Sequence, residues 1–149
     1  MPSFKHRFTV KVKIGIVWDF YTDIKHLEII TPKHMNFKIT SATTHKIIRG
    51  QEIWASAKIF KKTRIWHSRI THMMPYEYAD EMLTGPFNRW RHVHKFYDID
   101  GTQTEVTDEI DFKLPYGILG KLFESYVYIQ LQKIFEHRKV STIKVLESN

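Results

Sequence analysis

The segment Gly117-Ile118-Leu119-Gly120-Lys121-Leu122-Phe123-Glu124-Ser125-Tyr126-Val127-Tyr128-Ile129-Gln130-Leu131-Gln132-Lys133-Ile134 opens a long helical pattern that reaches at least Val140. Leu119, Leu122, Phe123, Tyr126, Val127, Gln130, Leu131 and Ile134 recur at three- and four-residue steps, opposite Lys121, Ser125, Gln132 and Glu136. That stripe predicts one buried helix face. Tyr128 and Phe135 stand off it, seven residues apart, either as rim aromatics or as a dimer contact, so the expected state is a monomer or weak homodimer.

The chain before this helix supplies the surface to be covered. Residues 3–14 alternate with period two: Phe4, His6, Phe8, Val10, Val12 and Ile14 form the inner set, and Lys5, Arg7, Lys11 and Lys13 lie outside. From Gly15 to about Ile30 the period lengthens to that of one or two short helices, closed by Thr31-Pro32. Met35, Phe37 and Ile39 alternate again. Runs of strand length follow near 51–60, 64–74, 76–84, 88–99 and 102–113, punctuated by Arg49-Gly50, Lys61-Lys62, Met74-Pro75, Gly85-Pro86 and the hairpin signal Asp100-Gly101. The expected architecture is α+β, a single domain over 1–149. A curved six- to seven-stranded antiparallel sheet wraps around a long C-terminal helix, with two short helices after the first strand. One helix is too narrow for a flat sheet of this width, so curvature leaves an internal hydrophobic cavity.

Composition limits the function. The chain has 149 residues, no cysteine, and 23 Lys+Arg against 16 Asp+Glu, a formal charge of +7. The positive residues alternate along strands instead of forming blocks, which argues for a solvated basic surface and against nucleic acid. Contact with an anionic membrane stays open as a transient partner. Without cysteine there is no disulfide framework, zinc finger or thiol nucleophile. Met1-Pro2-Ser3-Phe4-Lys5-His6-Arg7 carries no apolar run of signal-peptide length, and no stretch approaches the ~20 apolar residues of a membrane span. A cytoplasmic location is expected.

Chemistry concentrates in Gly85-Pro86-Phe87-Asn88-Arg89-Trp90-Arg91-His92-Val93-His94-Lys95-Phe96. On a strand, Trp90, His92, His94 and Phe96 share the inner face. Two inward imidazoles need partners, because an unpaired buried one costs about 1–3 kcal/mol. The next strand offers Asp108 on the face shared by Thr104, Val106, Ile110 and Phe112. The cluster is open to four uses: a satisfied polar network, a group that orients a ligand carbonyl or hydroxyl, general acid/base catalysis, or a metal site completed by Asp108 or His72. His-x-His is unspecific for metal, so no metal and no cofactor is expected. Asp80 shares the more apolar face of its strand with Tyr76, Tyr78 and Met82, and Arg69 could pair with it. Ala55 and Ala57, between Ile53 and Ile59, are small for a concave face and would leave volume unfilled. Of Trp18, Trp54, Trp66 and Trp90, some are core and some are positioned to stack on a ligand.

The sequence resembles the SRPBCC superfamily, which groups START lipid-transfer domains, birch-pollen-allergen-like proteins, polyketide cyclases/dehydrases and coenzyme-Q-binding proteins. The resemblance spans nearly the whole chain and is closest to a cyclase/dehydrase-like branch. Its landmarks are Val17-Trp18-Asp19-Phe20, Thr31-Pro32, Arg64-Ile65-Trp66-His67-Ser68-Arg69-Ile70 and Tyr78-Ala79-Asp80-Glu81-Met82 with Gly85-Pro86-Phe87. Trp90-Arg91-His92-Val93-His94-Lys95-Phe96, Gly101-Thr102, Asp108-Glu109-Ile110-Asp111-Phe112 and Leu114-Pro115-Tyr116-Gly117-Ile118-Leu119-Gly120 complete them. It implies a helix-grip fold whose tunnel takes a lipid, isoprenoid, quinone, sterol or aromatic polyketide. The expected function is binding, transport or sequestration of such a ligand. The alternative is a cyclase/dehydratase with His92, His94 and Asp108 as candidate catalytic groups. The residues expected to line the ligand site are Trp66, Ile70, Tyr78, Asp80, Trp90, His92, His94, Phe96, Asp108, Phe123 and Tyr126.

Overall fold

A computed structural model describes residues 2–148. The order is β1 (Ser3–Val10), α1 (Ile14–Tyr21), α2 (Lys25–Ile30), a 3-10 turn (Lys33–Met35), β2 (Lys38–Ala42), β3 (Glu52–Ile59) and β4 (Lys62–Met74). There follow β5 (Glu77–Thr84), β6 (Arg89–Asp98), β7 (Thr104–Lys113), α3 (Gly117–Lys121) and α4 (Glu124–Glu147). The strands form one seven-stranded sheet in the order β1-β7-β6-β5-β4-β3-β2, antiparallel throughout. This is the helix-grip architecture the sequence predicts.

Alternation places the inner set. Phe4, Phe8 and Val10 of β1 are buried, as are Val106, Ile110 and Phe112 of β7. The first strand stops at Val10, short of residue 14, because Ile14 already opens α1. The alternation of Met35 and Phe37 likewise precedes β2: Lys33–Met35 is a 3-10 turn closed by Asn36 at φ 49°. Between β3 and β4, Phe60 and Lys61 have φ of 53° and 64°, the sign pattern of the two-residue turn that matches strand twist. That turn lays Phe60 against Phe87 and Tyr126.

The C-terminal pattern is not one helix. α3 ends at Lys121 and α4 starts at Glu124. Gly120 sits where an added Cβ would lie 2.3 Å from the Pro115 carbonyl oxygen, so the chain doubles back tightly after β7 and a fresh helix begins. The break changes the buried face. Leu119, Leu122, Phe123 and Tyr126, expected inside, are exposed, whereas Val127, Leu131 and Phe135 are buried. Phe135 is core and packs on Phe4, with Tyr128 edge-on to the same ring.

The core has two parts. α1, α2 and the end of α4 cover Phe8, Val10, Ile70, Tyr78, Phe96 and Val106. The first half of α4 covers Phe4, Phe87, Ile110, Phe112 and Leu114, with Trp66 and Trp90 beside them.

Candidate functional site

A cavity of about 230 Å³ lies between the concave face and α4, slightly below the roughly 300–1,000 Å³ usual for small-molecule sites. Its walls are Ile53, Ala55, Ala57 and Ile59 of β3, Trp66, Ser68 and Ile70 of β4, and Tyr78 and Asp80 of β5. Trp90, His92 and His94 of β6, Leu27 of α2, and Val127, Leu131, Phe135 and Arg138 of α4 close it. The cause is side-chain volume: β3 turns two alanines and β4 a serine to the interior, and no bulky residue from α4 replaces what they lack.

Register builds the polar centre. His92 of β6 stands opposite Asp80 of β5, and His94 stands opposite Asp108 of β7. The bonds run diagonally. His92 Nε2 lies 2.7 Å from Asp108 Oδ1, and His94 Nε2 lies 2.8 Å from Asp80 Oδ2. The imidazoles stack with centroids 3.7 Å apart, and Tyr78 stacks on the far face of His94 at 4.1 Å. Two neighbouring strands thus supply carboxylates that clamp a histidine pair on the strand between them. His94 Nδ1 is 3.4 Å from Asp108 Oδ1 without hydrogen-bond geometry, and His92 Nδ1 is 4.0 Å from Asp80 Oδ2.

Electrostatics divides the pair. Burial would raise both carboxyls, but the bonds from the histidines outweigh it, and Asp80 and Asp108 are held below the usual carboxylate range. Burial and the neighbouring His94 push His92 below the ordinary imidazole value, against the pull of Asp108. Burial also opposes charge on His94, yet the adjacent Asp108 carboxylate and the hydrogen-bonded Asp80 raise it. Two imidazolium rings in face contact repel, so charge on one ring opposes charge on the other, and the opposite shifts favour His94 as the ring that holds it. Tyr21 and Tyr78 are pushed up, first by burial and then by the nearby carboxylates, and stay neutral. The Tyr21 hydroxyl pairs with Thr142 at 2.9 Å, and the Tyr78 hydroxyl donates to the Tyr21 carbonyl at 3.2 Å.

Of the residues expected at the ligand site, Trp66, Ile70, Tyr78, Asp80, Trp90, His92 and His94 line the cavity together. Asp108 lies behind His92, and Phe96 packs away from the cavity against Trp18 and Tyr21. Phe123 and Tyr126 are exposed, 59% and 49%, because of the break before α4. Arg69 does not reach Asp80: it faces Glu52 at 3.5 Å across β3 and β4. Trp54 stacks on His67, off the cavity. His72 pairs with Glu77 at 2.7 Å. The metal-type donors that converge among the described residues are therefore Asp80, His92 and His94, with ligand atoms within 4.8 Å. Both Nε2 atoms already serve carboxylates, and the Arg138 cation acts on the same carboxylates, which opposes a second cation there. Sequence reasoning missed Arg138 altogether. Its signal was present, since it follows Ile134 and Phe135 by four and three residues on the buried face of α4.

A family model described as polyketide cyclase / dehydrase and lipid transport matches residues 10–134. The chain belongs to this family. Solved structures share the fold of this polyketide cyclase/dehydrase and lipid transport member at low identity. Protein TTHA0849 from Thermus thermophilus is 14% identical, with a TM-score of 0.79 over 99% of this chain and 98% of that one. A START superfamily protein from Mycobacterium smegmatis is 8% identical, with 0.75 over 98% and 97%. The Zhui aromatase/cyclase from Streptomyces sp. R1128 is 18% identical, with 0.68 over 97% and 90%. No curated protein matches the chain. Among the described residues, no helix is long and apolar enough to cross a membrane.

Proposed function

We propose that this family member binds a small hydrophobic molecule in the cavity, with one polar group of the ligand held at the His92–His94 stack. The observation that carries the reading is an apolar cavity interrupted by one convergent polar centre. Apolar walls supply affinity at roughly 25 cal/mol per Å² buried, and a few fixed polar groups supply orientation. Native mass spectrometry of protein purified without detergent tests it. Wild type is expected to carry a substoichiometric or full small-molecule adduct, and Ala57→Trp, which fills the cavity, none. An adduct of equal occupancy on both would contradict the reading.

A cyclase/dehydratase is the second reading, favoured by two stacked imidazoles whose proton affinities are pushed in opposite directions. A neutral His92 can accept a proton from a carbon beside a carbonyl, and a protonated His94 can donate one to a departing hydroxyl. His92→Gln should then abolish turnover of a bound substrate and spare its binding. Binding without turnover in wild type leaves a carrier.

Transient contact with an anionic membrane is a further part of the proposal. Ile118, Leu119 and Leu122 are 81%, 64% and 73% exposed, beside Lys113 and Lys121, and the Phe60-Lys61-Lys62 turn meets α4 at the same end. Flotation should be greater with vesicles of phosphatidylserine and phosphatidylcholine than with phosphatidylcholine alone. Equal flotation would remove the charge contribution.

A further inference from the structure

Arg138 is a cation on the cavity wall with a donor that nothing satisfies. Its guanidinium carbon lies 5.0 Å from the centroid of the Phe135 ring, and its Nη2 is buried without a hydrogen-bond partner among the described residues. Buried donors are rarely left so, because the lost bond to water is not replaced. An acceptor on the ligand would complete it.

Charge decides which acceptor. Asp80 and Asp108 contribute two negative charges. Arg138 contributes one positive charge, and the histidine stack contributes one more: its rings are 3.7 Å apart, and His94 stands between both carboxylates, its Nε2 2.8 Å from Asp80 and its Nδ1 3.4 Å from Asp108. The centre is neutral before any ligand arrives. A ligand carboxylate would add a buried charge with no counter-charge, which a low-dielectric site penalises heavily. A ligand ammonium would bring donors to a donor. A carbonyl oxygen brings two lone pairs, no proton to place and no net charge.

We propose that the ligand is an uncharged carbonyl compound, such as an aryl ketone, whose oxygen accepts from Arg138 Nη2, and that carboxylates of the same shape are rejected. This rests on the cavity being the ligand site, and the test separates the two.

Three probes of one shape are titrated into the purified full chain at pH 7, with the fluorescence of Trp66 and Trp90 on the cavity wall as the readout: 2-acetylnaphthalene, 2-isopropylnaphthalene and 2-naphthoate. In wild type the ketone should bind at least about tenfold more tightly than 2-naphthoate. Arg138→Met, an unbranched replacement, should weaken the ketone about tenfold, the worth of one hydrogen bond to a charged donor, and leave 2-isopropylnaphthalene within about twofold. The wild-type comparison of ketone with carboxylate needs no variant, so it stands even if Arg138→Met fails to fold. The proposal is overturned if 2-naphthoate binds as tightly as the ketone, or if Arg138→Met weakens ketone and hydrocarbon alike. If the hydrocarbon binds and the ketone gains nothing from Arg138, the carbonyl assignment alone falls. If neither neutral probe binds, the cavity reading falls with it.

Discussion

β7 and β3 belong to the same sheet and show the same alternation, yet their concave faces do opposite things. β7 turns in Ile110 and Phe112, and the first half of α4 packs on them. β3 turns in Ile53, Ala55 and Ala57, and a cavity stands over them. One helix lies across both regions, so side-chain volume, not backbone, decides which half is core and which is cavity. Between them β6 carries His92 and His94, and the polar centre sits on the seam. The lesson is that a grip of this kind needs only two or three small residues on one side of its sheet to keep a cavity.

The strongest way to break the comparison is to truncate each half. Phe112→Ala should cost about 3–5 kcal/mol, because its neighbours cannot close on the hole. Ile53→Ala already borders empty space and should cost about 2 kcal/mol, the low end for such a change. Urea denaturation of both variants measures the difference, and equal losses would mean that the β3 half is packed after all.

The seam comes next. Asp108→Asn removes one of two carboxylates from a balanced buried group and should cost about 3 kcal/mol. Its pH signature has a definite sign. Asp108 is held below its unfolded value near 3.9, so its contribution is present above about pH 4 and is lost as the pH falls below that. His94 is raised above its unfolded value near 6.5, so its contribution is complete below about pH 6.5 and is lost as the pH climbs through the folded value. His92, lowered, contributes above about pH 6.5 and loses that as the pH falls. Denaturant midpoints from pH 4 to 9 should show an alkaline decline in wild type that His94→Gln flattens. A decline of unchanged slope in that variant would place the proton elsewhere.

Smaller effects sharpen the same contrast. Ala57→Leu should change stability by less than about 1 kcal/mol, because the void accepts the added carbons, where overpacking a full core costs about 1–3 kcal/mol. Leu122→Ser, on the exposed side of the helix break, should stay within about 0.5 kcal/mol of wild type in the same denaturation. A large loss there would show that α3 packs against something.

The sequence carries the β7 half and the seam almost completely, because period-two alternation assigns every strand face without knowledge of its neighbours. Ala55 and Ala57 were legible as missing volume, and His92, His94 and Asp108 as one cluster, for the same reason. Asp80 needed the register, which pairs it with His92 and sends Arg69 to Glu52. The helix side was harder. A three- and four-residue stripe runs unbroken from Leu119 to Ile134 in sequence, while the tight approach of Gly120 to the Pro115 carbonyl splits it in space and resets its phase. Leu122, Phe123 and Tyr126 are thereby turned outward, and Phe135 and Arg138 inward. A search for apolar periodicity passes over an arginine, and so the cation on the cavity wall stayed hidden.

The central claim is that the space over β3 holds a ligand, and nuclear Overhauser effects from bound 2-acetylnaphthalene test it most directly. Contacts from the probe's aromatic protons to the methyl groups of Ala55 and Ala57 are expected. Contacts confined to Leu119 and Leu122 on the exposed end of the helix, with none to the two alanines, would contradict it.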